Sequence, residues 1–151
     1  MSKNETENRG IDEELFQNIM MAVKSMPALQ TMGIKVTYLG QGTAGLTMNC
    51  PHEYANHMGS VHGAIIAGLL DNAMGYSIET LNKRCVTLEM NLNYLAAVME
   101  NTDITVTGQI IHAGSKTVVA EAFLYNQKGK LAAKAGATFY VTPGTIKERV
   151  W

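Results

Sequence analysis

The spacing of hydrophobic residues changes along the chain, and each change marks a predicted element. Hydrophobic positions recur every three or four residues over 11–26, which predicts an amphipathic helix that ends at Pro27. The period then becomes two, so strands are expected over residues 34–39 and 44–50. A second helix is predicted over residues 64–81, and because it is apolar over a wide arc, we expect it to be buried.

The rest of the chain has the alternating pattern of β-strands. Four are predicted, over residues 86–94, 103–112, 117–126 and 131–141. Short connections of this kind join antiparallel neighbours. The order of elements therefore predicts an α+β fold, in which an antiparallel β-sheet wraps around the one long central helix and the N-terminal helix is an addition. We expect a single domain over residues 11–142, between a disordered tail at residues 1–10 and a C-terminal tail at residues 143–151.

Composition narrows the class of protein. The 151 residues are 46% hydrophobic, enough for one compact core, and the formal net charge of −1 gives no overall attraction to nucleic acid or to an anionic membrane. The first residues do not resemble a signal peptide, and the longest stretch without charge is too polar to span a bilayer. We expect a cytoplasmic protein with no membrane or nucleic-acid partner, in which Cys50 and Cys85 are reduced thiols.

Two residues of the second helix are candidates for chemistry. Asp71 lies among hydrophobic residues, where a carboxylate must be either paired or used in a reaction. Gly63 opens the helix, and its amide, which lacks an acceptor within the helix, suits a developing oxyanion. Each has a simpler explanation, since Asp71 can be a satisfied or partly exposed acid and Gly63 can just let the backbone turn.

The distance between these residues carries a prediction about assembly. Eight residues of helix separate Gly63 from Asp71 by about 12 Å along the axis, too far for both to act on one carbonyl group. Two antiparallel copies of the helix would bring Gly63 of one chain near Asp71 of the other and form two equivalent sites. We therefore expect an enzyme of this kind to be at least a homodimer.

Two other patterns suggest binding sites but fit them poorly. Residues 40–45 match the GxGxxG fingerprint of dinucleotide-binding proteins, yet a strand pattern follows them instead of a helix, so a hairpin turn is expected. Cys50, His52, His57 and His62 are four potential zinc ligands, but their spacing matches no common zinc motif. We expect neither a dinucleotide nor a metal site.

The run Asn56-x-x-Gly59-x-x-His62-Gly63, with Asp71 eight residues later and the strand at 86–94 after it, resembles the hotdog-fold acyl-CoA thioesterases. The similarity is to the PaaI-like branch, which includes phenylacetate-type and 4-hydroxybenzoyl-CoA thioesterase-like enzymes, and it covers roughly residues 32–141. It implies hydrolysis of acyl-CoA to a free acid and CoA, with no cofactor apart from the CoA of the substrate. It also implies an obligate homodimer, commonly assembled into a homotetramer.

The resemblance also implies roles for individual residues. The Gly63 amide would polarise the thioester carbonyl, and Asp71 of the neighbouring subunit would act as general base or nucleophile. Asn56 matches the asparagine that orients the thioester or the water, Thr87 matches the residue that assists the acid, and His62 would have a secondary positioning role. In an unbroken strand Thr87 points away from the face that carries Val86 and Leu88, so only a bulge or the strand's edge lets it reach Asp71.

Basic residues near the predicted site are candidates for binding the CoA phosphates. They are Lys83 and Arg84, and Lys116 beside Ser115 in a glycine-containing hairpin, although each can equally be ordinary surface charge. Met58 can line an acyl pocket or fill the core. Two other functions stay open: a non-catalytic acyl-CoA-binding or sensing module, and a hotdog hydratase or dehydratase, for which His62 would supply the histidine.

Overall fold

A long helix, α3 (Gly63–Glu79), lies at the centre of the computed structural model, which describes residues 5–149. The helix is apolar on nearly every side, and its fully buried hydrophobic residues are Leu69, Leu70, Ala73, Met74 and Ile78. A seven-stranded sheet wraps around it. Burying such a helix requires a partner surface that surrounds it, which a curled sheet provides. The predicted α+β hotdog architecture is confirmed.

The sheet is antiparallel except at one edge. Its strands are β1 (Glu7–Arg9), β2 (Ile34–Gly40), β3 (Thr43–Cys50), β4 (Arg84–Tyr94), β5 (Thr102–Ala113), β6 (Thr117–Tyr125) and β7 (Leu131–Thr142). Their order across the sheet is β1-β2-β3-β5-β6-β7-β4, and only β1 and β2 run parallel. The six strands predicted from alternation are all present. Strand β4 lies at an edge, so one side of its backbone is free of strand partners among residues 5–149.

Two helices precede β2. Helix α1 (Glu13–Ser25) is capped by Asp12, whose carboxylate accepts a hydrogen bond from the Leu15 N–H at 3.0 Å. The sequence predicted that Pro27 ends this helix, and it does. Pro27 also begins a second helix, α2 (Pro27–Met32). Proline is well suited to the first turn of a helix, because its missing N–H is not needed there.

The N-terminal end of the chain differs from the prediction. Strand β1 lies within residues 1–10, where a disordered tail was expected, and it pairs with β2. The C-terminal segment packs on the domain: Ile146 is completely buried, and the Lys147 ammonium lies 2.7 Å from the Asp12 carboxylate. Residues 1–4 and 150–151 lie outside the described part of the chain.

The regular alternation predicted for the strand at 86–94 is wrong in one place. Strand β4 pairs with β7 in a register that shifts between Thr87 and Glu89, so Leu88 is the extra residue of a β-bulge. Thr87 pairs with the buried Phe139 and faces α3, whereas Val86 and Leu88 are 52% and 58% exposed. The bulge is one of the two ways in which Thr87 was expected to reach Asp71.

The glycine-rich segment is a hairpin turn between β2 and β3, as predicted, with Gly40 paired to Thr43 and Gly42 at a φ of +70°. Across residues 5–149 no group of three or more potential metal ligands is close enough to hold an ion. None of the helices described in this range is long and apolar enough to cross a membrane. Cys50 and Cys85 are both free thiols.

Candidate active site

The first part of the site surrounds the start of α3. The His62 ring caps the helix, since its Nδ1 accepts a hydrogen bond from the Ala64 N–H at 3.1 Å. The Gly63 N–H has no hydrogen-bond acceptor among residues 5–149 and lies at the positive end of the helix dipole. The backbone at Gly63 therefore offers a free donor, as the sequence predicted.

Tyr94 explains why glycine stands at this position, and the sequence analysis did not single it out. Its hydroxyl donates a hydrogen bond to the Gly63 carbonyl at 2.8 Å. A Cβ atom on residue 63 would lie only 2.9 Å from that hydroxyl oxygen. A larger residue would push Tyr94 away, so the close approach of Tyr94 requires glycine here.

Asn56 organises the loop that leads into α3. Its Oδ1 accepts hydrogen bonds from the Met58 N–H at 2.9 Å and the Ser60 N–H at 3.3 Å, and its Nδ2 donates to the Ser60 hydroxyl at 2.9 Å. Gly59, at a φ of +77°, completes the turn. Ser60, Gly63 and Tyr94 then line a pocket of about 360 Å³ between this loop and the end of β4. We call the residues around this pocket the donor half of the site.

The second part of the site lies midway along α3. Thr87 donates a hydrogen bond from Oγ1 to Asp71 Oδ1 at 2.8 Å, a contact that depends on the bulge in β4. The bond fixes one carboxylate oxygen and leaves Oδ2 without a hydrogen-bond donor from residues 5–149. Asp71 and Thr87 line a smaller pocket of about 150 Å³. We call this region the acid half of the site.

The two halves do not meet within one chain. Their pockets share no lining residue. Gly63 and Asp71 are about 12 Å apart along the helix axis, given a rise of about 1.5 Å per residue. The structure therefore unites Asp71 with Thr87 and groups Asn56 with Gly63 and His62, but it does not join the two groups.

Four of the candidate substrate-binding residues come to one end of the sheet. The Val141 N–H donates to the Lys116 carbonyl at 2.8 Å, and Val141 pairs with Cys85. Lys116 is thus about two strand spacings, roughly 10 Å, from the residue that follows Arg84. Lys83 directly precedes Arg84 in the chain, and Ser115 directly precedes Lys116. The fifth candidate, Met58, is 77% exposed on the loop of the donor half.

Glu79, which the sequence analysis missed, belongs to the acid half. It lines the same pocket as Asp71, and its Oε2 is buried with no hydrogen-bond partner in the described chain. Burial raises its pKa to about 7, although the positive charge of Arg149 opposes the rise. Its spacing from Asp71, eight residues along one helix face, is the sequence signal that could have identified it.

Comparison with known proteins places these residues in context. The model of the thioesterase superfamily matches residues 58–133. The acyl-coenzyme A thioesterase PaaI of Escherichia coli is 24% identical over 136 residues, 90% of this chain and 97% of that protein. The structure of E. coli PaaI superposes with a TM-score of 0.86 at 23% identity, over 90% of this chain and 99% of that one. Acyl-coenzyme A thioesterase 13 of Mus musculus is 26% identical over 82% of this chain and 91% of its own length.

A solved structure from Streptococcus pneumoniae bears on the acid half. It is a hypothetical thioesterase crystallised with coenzyme A, 28% identical to this chain with a TM-score of 0.71, over 74% of this chain and 90% of that one. Variants of that protein with an aspartate or a threonine replaced by alanine have also been crystallised. Those two positions are 16 residues apart, the same separation as between Asp71 and Thr87 here.

Proposed function

The chain belongs to the thioesterase superfamily and is a thioester hydrolase, and on that premise we propose that it hydrolyses acyl-CoA to a free acid and CoA at a site built from two subunits. One observation carries the proposal. A free amide at Gly63 and a hydrogen-bonded carboxylate at Asp71 line separate pockets about 12 Å apart along α3. Each half lacks what the other supplies.

A second copy of the chain completes both sites. With two α3 helices antiparallel across a two-fold axis, the donor half of each chain faces the acid half of its partner. The surface beside α3 suits such contact, because one edge of β4 has no strand partner among residues 5–149. Exposed hydrophobic residues lie in this strand and directly after it, namely Val86, Leu88, Tyr94, Leu95 and Met99. The homodimer is therefore the proposed active unit, and assembly into a tetramer is a further expectation.

The proposed reaction needs an oxyanion donor and a base. The Gly63 N–H donates a hydrogen bond to the thioester oxygen as negative charge develops on it. Asp71, held by Thr87 through Oδ1, takes a proton from water at Oδ2 while the water oxygen attacks the carbonyl carbon. The carbon–sulfur bond then breaks, its electron pair stays on sulfur, and the CoA thiolate accepts a proton.

The same geometry allows a covalent route. Asp71 can attack the carbonyl carbon itself and expel the thiolate, and water then hydrolyses the mixed anhydride. Single-turnover hydrolysis in H₂¹⁸O detects the covalent route when water attacks the anhydride at Cγ of Asp71, because only that attack places ¹⁸O in the Asp71 carboxylate. Neither route requires a cofactor, since a thiolate leaves without a strong acid and the two protein groups are sufficient. Asn56 and His62 act on the donor half by holding the loop and the helix start.

The substrate's CoA portion is proposed to lie near the cationic end of the sheet. Lys83, Arg84 and Lys116 lie on the side of the acid half, and Ser115 precedes Lys116 in the chain. Because the net charge is only −1, the anionic phosphates must be bound by a few placed cations instead of by an overall field.

Mixing two inactive variants tests the two-subunit site. Asp71→Asn removes the base, and Gly63→Val disrupts the donor half through its contact with Tyr94. After co-refolding in equal amounts, half of the dimers are mixed and each contains one intact site, so about a quarter of wild-type activity is expected. The control is each variant refolded alone, with the dimer verified by light scattering. No recovery in a preparation that contains mixed dimers would overturn the proposal.

A further inference from the structure

Glu79 lies at the far end of the acid half, in line with Asp71. Positions 71, 75 and 79 share one face of α3, and the middle one is glycine. Apart from the neighbouring residues and backbone of α3, no atom of residues 5–149 lies within 4 Å of where a Cβ on Gly75 would be. Glycine therefore leaves an open groove over the helix surface that connects the Asp71 carboxylate with the Glu79 carboxyl group.

The groove between the two acids has both polar and apolar walls, and Asn72 and Thr87 lie on its polar side. Other elements contribute Met26, Cys85 and Phe139 to its walls. The Oε2 atom of Glu79 is buried, and no donor or acceptor among residues 5–149 satisfies it. A buried polar atom without a partner is costly, and in a ligand pocket such an atom typically binds a polar group of the ligand.

The surroundings of Glu79 keep its carboxyl group partly protonated at neutral pH, so it can donate a hydrogen bond as well as accept one. The groups that face it are Asp71 and Tyr76 on its own helix, Cys85 on β4 and Arg149 on the C-terminal segment. Burial raises the pKa of the Cys85 thiol to about 12 and also raises that of Tyr76, so both are neutral. Among residues 5–149, Arg149 is the group that stabilises the ionised form of Glu79, and burial outweighs it.

We propose, building on the thioesterase activity proposed above, that Glu79 determines substrate specificity by binding a hydroxyl group at the far end of a short acyl chain whose thioester lies at Asp71. The pocket volume of about 150 Å³ sets the size of that chain. Cavities of about this volume hold a benzene ring, so an acyl group of roughly six carbons fits.

Two substrates of equal length test the proposal: hexanoyl-CoA and 6-hydroxyhexanoyl-CoA. The wild-type dimer is expected to hydrolyse the hydroxylated substrate with a kcat/KM at least about tenfold higher, because the plain chain leaves Oε2 unpaired. Glu79→Leu is expected to reverse the preference, and Glu79→Gln to retain part of it, since an amide still forms hydrogen bonds. Glu53→Leu, which removes an exposed glutamate outside the pocket, is the matched control and should leave the ratio unchanged.

The pH dependence of the ratio distinguishes binding by Glu79 from a purely structural role. As pH rises through about 7, Glu79 ionises, and a buried carboxylate whose Oε2 accepts no hydrogen bond from residues 5–149 is costlier than a neutral acid. The wild-type ratio of hydroxylated to plain substrate should therefore rise with pH, and the Glu79→Gln ratio should stay flat. This comparison needs only the isosteric variant, so it holds if Glu79→Leu does not fold.

The outcomes separate this inference from the function on which it rests. Equal kcat/KM values for the two substrates in the wild-type protein, or a ratio that Glu79→Leu does not change, would overturn the role of Glu79 alone. If the wild-type dimer hydrolyses neither these nor acetyl-CoA, the proposed acyl-CoA thioesterase function itself fails.

Discussion

The donor and acid halves of the site are built in different ways from the same helix. Most of the donor half is local in sequence: Asn56, Ser60, His62 and Gly63 lie within eight residues, and their hydrogen bonds shape one loop and one helix start, to which β4 adds Tyr94. The acid half joins distant residues, since Asp71 meets Thr87 only through the bulge in an edge strand. A local motif can be identified from its residues, whereas a bulge depends on how two strands pair.

The largest expected effect comes from removing the base of the acid half. Asp71→Asn keeps the size of the side chain and can still accept from Thr87, but it cannot take a proton. We expect kcat to fall by about 10³-fold. Acyl-CoA turnover measured by release of the free thiol checks this, with circular dichroism and light scattering as controls for fold and assembly. Full activity in a folded variant would exclude Asp71 as base or nucleophile.

The second prediction concerns stability, because the acid half carries a buried acid that the donor half lacks. The folded-state pKa of Glu79 is raised to about 7 from a usual value of 4.5. Between these values the unfolded chain is ionised and the folded chain binds the proton, so the free energy of unfolding falls as pH rises. The loss attributable to Glu79 is about 3 kcal/mol and is complete above about pH 7.

Glu79→Gln, which cannot ionise, tests that loss. Urea unfolding at pH 5 and pH 8 should show the variant gaining stability relative to wild type at the higher pH. Other titrating groups contribute equally to the free energy of unfolding of both proteins, so their effect cancels in the comparison. One such group is His52, whose pKa is raised by its hydrogen bond to Glu100. An equal difference between the proteins at both pH values would show that Glu79 does not titrate in this range.

The sequence was sufficient for most of the fold because the alternation of apolar positions is strong. It predicted all six long strands, the buried helix and the hairpin at residues 40–45. It could not predict β1, since three polar residues carry no periodic signal. The unbroken alternation expected over residues 86–94 failed at Leu88, because the β4–β7 register, and not the pattern within β4, determines where the bulge lies.

The candidate site shows the same limit. Gly63 and Asp71 could be selected because a glycine at a helix start and an acid in a buried helix stand out in one sequence. Tyr94 could not, because its contact with the Gly63 carbonyl spans 31 residues of chain and depends on the end of an edge strand. Glu79 offers one weak signal, its spacing of eight residues from Asp71 on one helix face, and its burial in the structure is what distinguishes it from a surface acid.

A smaller effect is expected from the bulge contact itself. Thr87→Ala removes the hydrogen bond to Asp71, which is worth about 1.5–3 kcal/mol for a charged acceptor, so kcat should fall about 10- to 100-fold. Thr87→Ser keeps the hydroxyl and should restore most of the activity. A Ser variant as slow as the Ala variant would mean that the threonine methyl group, and not the hydrogen bond, is what the acid half requires.

The smallest expected effect tests the proposed CoA contacts at the end of the sheet near the acid half. Lys116 and Lys128 lie in the hairpin turns on either side of β6, so they are roughly 30 Å or more apart. Lys116→Ala should raise KM for acyl-CoA about threefold without changing kcat, because one exposed cation contributes about 0.5–1 kcal/mol to phosphate binding. Lys128→Ala, an equal loss of charge at the opposite end, should change neither constant. The Lys116 effect should also shrink as salt screens the phosphates, and equal KM values for the two variants at low salt would place the CoA phosphates elsewhere.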